Sequence, residues 1–161
     1  MSQYGVYVQN VGRCGLGGVR GGGNIATVRL AIHTHKPDIV ILTEVSEKES
    51  LIGKKGVFRG YTCTQHDHLE ARTGTVAVFI KKGEIAIAEN TVYNSLQGHY
   101  TISTYEVGQD KFILGAVYGP SCAADNTSLQ IYKDFFEKIE ISKIRQNTSN
   151  LLLAGDWRCF A

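Results

Sequence analysis

A continuous apolar run of strand length constrains the fold more than any other feature of the sequence. The run Asp38-Ile-Val-Ile-Leu-Thr-Glu44 does not alternate, which predicts a strand covered on both faces. Tyr4 to Val11 is rich in valine and tyrosine and predicts an earlier strand. Between them, Asn24 is the predicted N-cap of a helix that Pro37 ends. Strand, helix and strand in this order predict a parallel crossover unit.

The rest of the chain is organised as closely spaced strands followed by one long helix. Turn residues separate five short β-branched runs: Val57 to Thr64, Thr75 to Lys81, Ile85 to Val92, Tyr100 to Val107 and Lys111 to Tyr118. Such spacing predicts antiparallel hairpins. Apolar residues at helical spacing predict a helix over Thr127 to Arg145, and Asn150 to Ala154 predicts a last buried strand. The predicted fold class is α/β, a sandwich of mixed sheets with helices outside.

Composition places the chain among ordinary globular domains. Its 161 residues suit one domain, with 43% hydrophobic and 20% charged residues, which argues against disorder and coiled coil. No apolar run approaches the roughly 18 residues of a membrane span. The start, Met1-Ser2-Gln3-Tyr4, lacks the form of a signal peptide. We therefore expect an intracellular protein without a membrane partner.

Charge and cysteine content exclude little. The net charge of +2 permits a polyanionic partner without requiring one. Cys14, Cys63, Cys122 and Cys159 form no C-x-x-C pair, so neither a zinc module nor a disulfide scaffold is indicated. We expect these cysteines to be reduced and mostly buried.

Polar residues stand at the ends of three predicted strands. These strands end at Gln9-Asn10, Thr43-Glu44 and Gly155-Asp156. In open α/β sheets the crevice beyond the carboxyl ends of the strands binds ligands. Two carboxylates and an amide at that place suit a hard cation such as Mg²⁺. The alternative is that each residue only marks the start of a loop.

Three other patterns compete with this site. Gly21 to Ala26 fits the dinucleotide fingerprint G-x-G-x-x-A, but about ten loop residues separate it from the preceding strand, which argues against a Rossmann site. Arg13 and Arg20 in this glycine-rich loop are candidates for phosphate contacts, with solvated arginines as the alternative. We interpret the histidine pairs His33/His35 and His66/His68 as surface residues and not as metal pairs, because no third ligand is apparent for either. Lys54-Lys55 and Lys81-Lys82 are interpreted as solvated turn residues, with phosphate contacts as the alternative.

Five short motifs, in order, resemble the endonuclease/exonuclease/phosphatase superfamily, which has the DNase I-like fold. They are Gln9-Asn10-Val11, Lys36 to Glu44, Gly74 to Phe79, Val117 to Ser121 and Leu153 to Trp157. The helix after the tyrosine turn, with Tyr132, Phe135 and Phe136, is most similar to LINE-type retrotransposon endonucleases. The resemblance implies two mixed, largely antiparallel sheets with outer helices, and a phosphodiesterase that uses Mg²⁺ or Mn²⁺ and acts on DNA.

The resemblance also implies roles for individual residues. Glu44 would be the main metal ligand, with Asn10 orienting metal and phosphate. Tyr118 would donate its hydroxyl to a phosphate oxygen, and Asp156 would position the attacking water. Ser121 and Arg158, with Arg13 and Arg20, would contact the nucleic acid. The alternative for Tyr118 is a core tyrosine, and for Asn10 a loop cap.

The sequence departs from the family pattern in three places. Arg158 and Ser121 stand where the family has asparagine, and no Ser-Asp-His motif with the family's catalytic histidine follows Asp156. We therefore expect residues 1–161 to be the N-terminal portion of such a domain, incomplete at its C-terminus. General acid–base assistance is typically worth about 10²- to 10⁴-fold. The 161 residues alone are thus expected to nick plasmid no faster than an Asp156→Ala variant.

Several functional alternatives remain at this point. The leading hypothesis is a retroelement-type DNA endonuclease domain, which would be nuclear. The second is a catalytically inactive relic that binds nucleic acid weakly, and the third is a phosphatase of the same fold. Substrate, sequence specificity and oligomeric state do not follow from the sequence.

Overall fold

The computed structural model describes two helices and nine strands within residues 3–12, 22–45, 58–66, 75–88, 93–94, 99–119 and 126–157. In chain order these are β1 (Val6–Asn10), α1 (Gly22–His35), β2 (Ile39–Val45), β3 (Tyr61–His66), β4 (Thr75–Lys81), β5 (Ile85–Ile87), β6 (Tyr93–Asn94), β7 (Tyr100–Val107), β8 (Asp110–Tyr118), α2 (Asn126–Gln146) and β9 (Leu151–Asp156).

The described strands form two mixed sheets, as the sequence predicts. The first sheet has the order β1-β2-β4-β3, in which β1 and β2 are parallel and joined through α1. The second has the order β5-β7-β8-β9, with β6 paired to β7, and its parallel pair β8 and β9 is joined through α2. The remaining pairs are antiparallel. The predicted parallel crossover at the start of the chain is confirmed.

Three apolar clusters hold these layers together. Ile25 and Val28 of α1 pack on Val40 and Leu42, on the outer face of the first sheet. The opposite face of β2, with Ile39, packs against the second sheet. The third cluster lies between the second sheet and α2. Each fully buried aliphatic side chain contributes about 1.5–3 kcal/mol, and β2 is buried on both faces as its continuous apolar run predicts.

The connection between β4 and β5 differs from the predicted hairpin. β4 belongs to the first sheet and β5 to the second, so the turn over residues 82–84 carries the chain from one sheet to the other. Ile85 is buried in the cluster between the sheets, and β5 pairs with β7. The hairpin prediction holds for β3–β4 and for β7–β8.

Both helices differ in detail from their predicted form. α1 begins at Gly22, so Asn24 lies in its first turn and is not the cap. The buried stripe of α2 contains Tyr132, Phe135 and Ile139, whereas other residues of the predicted apolar face are exposed: Leu129, Phe136 and Ile144. A buried stripe with steps of four and three residues is narrower than the predicted face, because α2 packs on one sheet only.

Two expectations from composition concern the membrane and the thiols. Within the described residues, no helix has the length and apolar character of a membrane span. Cys63 is a free, half-buried thiol whose pKa burial raises to about 12, as expected for a reduced structural cysteine. Cys14, Cys122 and Cys159 lie outside the described residues.

Candidate active site

Each sheet contributes two polar side chains at the same end of the sandwich. In the first sheet, the parallel strands β1 and β2 end near Asn10 and Glu44. In the second, the parallel strands β8 and β9 end at Tyr118 and Asp156, which are paired in register. The carboxyl ends of parallel strands share one edge, so each crossover brings its pair together.

Hydrogen bonds join the four side chains across the two sheets. Asn10 Nδ2 donates to Glu44 Oε1 at 3.0 Å and to Asp156 Oδ2 at 2.9 Å. Tyr118 OH donates to Glu44 Oε1 at 2.8 Å. Asn10 therefore bridges two carboxylates that are 112 positions apart in sequence. The structure brings together all four residues to which the resemblance assigns metal binding or catalysis.

A β-bulge directs Glu44 toward this cluster. Leu42 pairs with Ala77 but Val45 pairs with Thr75, so one extra residue is inserted in β2. Glu44 adopts a φ of 56°, in the left-handed region. In a regular strand Glu44 would share the face of Leu42, which packs on α1. The bulge turns its carboxylate instead toward the second sheet and Tyr118.

Asn10 is oriented by the turn that follows β1. The backbone N–H of Gly12 donates to Asn10 Oδ1 at 2.8 Å. Since the amide oxygen is held there, the amide nitrogen faces the carboxylates. Gly12 has a φ of 62°, which glycine adopts without steric cost. In this arrangement Asn10 acts as a donor that positions both acids.

Asp156 depends on close backbone packing at the end of β9. Gly155 has a φ of 136°, and a Cβ at this position would lie 2.0 Å from the carbonyl oxygen of Val117. The backbone N–H of Gly119 also donates to Asp156 O at 2.8 Å. Only glycine permits this approach, so the Gly-Asp sequence itself fixes where the carboxylate lies.

His99 supports Tyr118, a role that the sequence did not reveal. Its ring stacks on the Tyr118 ring at 6.3 Å with an interplanar angle of 12°. Its Nδ1 lies 3.1 Å from Tyr118 O, and Tyr118 N donates to His99 O at 2.7 Å. His99 directly precedes β7, which pairs with β8, so only the strand register could have indicated this contact.

The donor set of the cluster fits a hard divalent cation. Glu44 and Asp156 each present a carboxylate oxygen to the Asn10 amide nitrogen, and Tyr118 adds a hydroxyl, whereas the cluster contains no thiolate or imidazole ligand. Mg²⁺ and Mn²⁺ prefer such oxygen ligands. Within the described ranges, no group of three or more His, Cys, Asp or Glu side chains is arranged to hold a metal ion. Mg²⁺ is usually bound by one or two carboxylates, so two acids suffice.

Four candidate nucleic-acid contacts cannot be placed in this geometry. Arg13, Arg20, Ser121 and Arg158 lie outside the described residues. Their predicted contacts remain predictions. Among the described residues, no lysine or arginine forms an ion pair with Asp156.

The two sheets have the DNase I-like fold, as the resemblance implies. The chain is similar to the endonuclease domain of TRAS1, a telomere-specific non-LTR retrotransposon, with a TM-score of 0.63 and 17% identity. The match covers 99% of this chain and 61% of that domain.

Two further solved structures share the fold. D. rerio TDP2 complexed with a single-strand DNA product matches with a TM-score of 0.64 and 15% identity over 97% of this chain and 62% of that chain. ANGEL2, a 2',3'-cyclic phosphatase, matches with a TM-score of 0.71 and 12% identity over 95% of this chain and 52% of that chain. The chain thus spans between half and two thirds of the length of these three neighbours. No protein-family model and no curated protein matches the sequence.

Proposed function

We propose that this chain carries the site of a metal-dependent phosphodiesterase that acts on the DNA backbone, of the retroelement endonuclease type. One observation supports this proposal most strongly. The Asn10 amide nitrogen lies between the carboxylates of Glu44 and Asp156, and Glu44 also accepts from Tyr118. Two acids, an amide and a phenol at the carboxyl ends of parallel strands form a site for a cation and a phosphate.

The proposed cofactor is Mg²⁺ or Mn²⁺, held mainly by Glu44. When bound, the cation would neutralise phosphate charge and polarise a phosphoryl oxygen. Asn10 would keep the two carboxylates at a fixed separation, since its nitrogen donates to both. Its own ligation of the metal is part of the proposal, and it requires the amide oxygen to leave its bond with Gly12.

Two side chains act on the substrate in this proposal. The Asp156 carboxylate would accept a hydrogen bond from the attacking water and align its lone pair with the phosphorus. Tyr118 would move its hydroxyl from Glu44 to a phosphate oxygen, where a positioned donor stabilises developing charge. Tyr118 is only 8% exposed, and His99 holds its ring, so the donor is already oriented.

The proposed partner is DNA. The TRAS1 endonuclease domain and TDP2 with its DNA product share this fold, and the chain has a net charge of +2. A retroelement role would place the protein in the nucleus. The 2',3'-cyclic phosphatase ANGEL2 also shares the fold, which supports a phosphatase as the second candidate.

An activated phosphodiester tests the proposal directly. The leaving group of bis(p-nitrophenyl) phosphate departs without a proton, so its hydrolysis reports on water activation alone. In Mn²⁺ we expect the wild type to release nitrophenolate, and Asp156→Asn to lose about 10²-fold or more of the rate. Asp110→Asn, at the exposed first residue of β8, is the matched control. Equal rates for the wild type and Asp156→Asn would reject the proposal.

Parallel assays separate the alternatives. A phosphatase would hydrolyse the monoester p-nitrophenyl phosphate faster than the diester. A catalytically inactive relic would hydrolyse neither, yet would still retard a labelled DNA duplex in a gel. Plasmid nicking tests the expectation from the sequence that the 161 residues do not exceed an Asp156→Ala control.

A further inference from the structure

A basic cavity lies at the opposite end of the first sheet from the candidate active site. It has a volume of about 690 Å³, within the range of about 300–1,000 Å³ that is common for small-molecule sites. It opens beside the C-terminal half of α1 and the turn after β4. Asn10 and Glu44 lie at the other end of β1 and β2, so the two sites are separate.

Among the described residues that line this cavity, six are basic and none is acidic. They come from α1 and the residue after it, from the turn before β3, and from the end of β4: Arg29, His33, Lys36, Arg59, Lys81 and Lys82. Asp38 forms an ion pair with one of these cations: its Oδ1 lies 3.9 Å from Lys81 Nζ, and its Oδ2 accepts from Gly5 N–H. Beside Arg29 and Lys81, the rim holds three further permanent positive charges, on Lys36, Arg59 and Lys82.

The helix dipole explains only part of this charge. Cations at a helix C-terminus are favourable, which accounts for His33 and Lys36 at the end of α1. Arg59, Lys81 and Lys82 belong to the strand side of the cavity. The fold brings these groups near α1 because β4 ends beside the start of β2, where Ile39 pairs with Ile80.

The inner wall of the cavity is apolar. Phe58 is buried in the cluster under α1 and contacts Phe79 edge to face at 4.9 Å. Ile32 and Tyr61 pack against the same cluster, and Tyr61 OH donates to Pro37 O. A rigid apolar wall with cations around its rim is the arrangement that holds a ring bearing charged groups.

We propose that this cavity binds a ligand with clustered phosphate groups. A single negative charge can contact only one or two of the surrounding cations, whereas two or more adjacent phosphates can reach several of them together. Two sources share this chemistry, a free polyphosphorylated small molecule and the phosphorylated end of a nucleic-acid strand. This inference does not depend on the proposed phosphodiesterase activity.

Calorimetry in EDTA tests the cavity while divalent cations are absent. The probes are inorganic triphosphate and a 5'-phosphorylated tetrathymidylate. We expect at least one of the two probes to bind the wild type at low salt. The double variant Arg59→Gln/Lys82→Gln should bind the same probe with an affinity at least about tenfold lower. The matched control is Lys111→Gln/Lys133→Gln, which removes two lysines outside the lining and should retain the affinity.

The relative affinity of the two probes identifies the source of the phosphate groups. Tighter binding of triphosphate would identify a free polyphosphate as the source, and tighter binding of the oligonucleotide would identify a strand end; either supports the proposal. Absence of binding for both probes at millimolar concentration would overturn it. An equal loss in the control pair would also overturn it, because the attraction would then be a property of net charge alone.

Discussion

At the scale of single residues, Glu44 combines a place in the polar cluster with a strained backbone. Its φ of 56° is unfavourable for any residue with a Cβ. The same conformation places its carboxylate against Asn10 and Tyr118. Strain at such a position persists only where the surrounding structure enforces it, here the pairing of β2 with β4 on both sides of the bulge.

This strain predicts that glycine at position 44 gives a more stable protein than alanine, the reverse of the usual order. Glu44→Gly should be more stable than Glu44→Ala by about 1 kcal/mol, because glycine adopts positive φ without steric cost. Urea denaturation of both variants measures the difference. At Glu106 in β7, which has no positive φ, the same pair should show the usual order, with alanine more stable. An alanine variant as stable as glycine at position 44 would contradict the assigned conformation.

The sequence predicted the members of the site but not the way they are oriented. Asn10, Glu44 and Asp156 stand at strand ends, and the family resemblance added Tyr118. The bulge was not predictable, since glutamate has no preference for positive φ. The contact of His99 with Tyr118 was equally hidden, because it follows from the register between β7 and β8 and not from a local motif.

At the scale of elements, local patterns located strands better than they assigned them to sheets. β4 and β7 have the predicted bounds, because β-branched residues and turns mark their ends. The crossing from β4 to β5 was not predictable. A two- or three-residue turn has the same local sequence whether the next strand pairs with the previous one or enters the facing sheet. Here Ile85 is buried between the sheets, and this burial places β5 in the second sheet.

The close contact between β8 and β9 predicts that a single added methyl group at Gly155 lowers the stability strongly. Gly155→Ala would place a Cβ 2.0 Å from Val117 O, so the end of β9 must move. We expect a loss of at least about 2 kcal/mol in the free energy of unfolding, measured by chemical denaturation. Gly5→Ala, whose Cβ would meet Pro37 Cα at an ordinary 3.6 Å, is the control. Equal stability of both variants would contradict the packing of β9 on β8.

At the scale of the whole molecule, two of the four strands that carry the candidate site also form sheet edges. β1 ends the order of the first sheet and β9 that of the second, and no other described strand pairs with their outer sides. Val6 and Val8 of β1 are each 38% exposed. Exposed strand edges with apolar side chains favour pairing between molecules.

These edges predict self-association of the 161-residue chain. Val6→Lys should lower it, since an edge lysine opposes strand pairing, and sedimentation velocity measures the change. Leu30→Lys, at an exposed position of α1, adds the same charge away from the edge and should change the sedimentation less. A wild-type chain that stays monomeric at high concentration would contradict this prediction.

The central claim is that Glu44 and Asp156 form one cation site, and Mn²⁺ binding measured by calorimetry tests it most directly. We predict one weak site in the wild type, with affinity lowered about tenfold or more by Glu44→Gln and by Asp156→Asn, since each removes a carboxylate charge from the site. Glu137→Gln, on the exposed side of α2, should bind as the wild type does. Undiminished binding in Glu44→Gln and Asp156→Asn would show that the two carboxylates do not form the site.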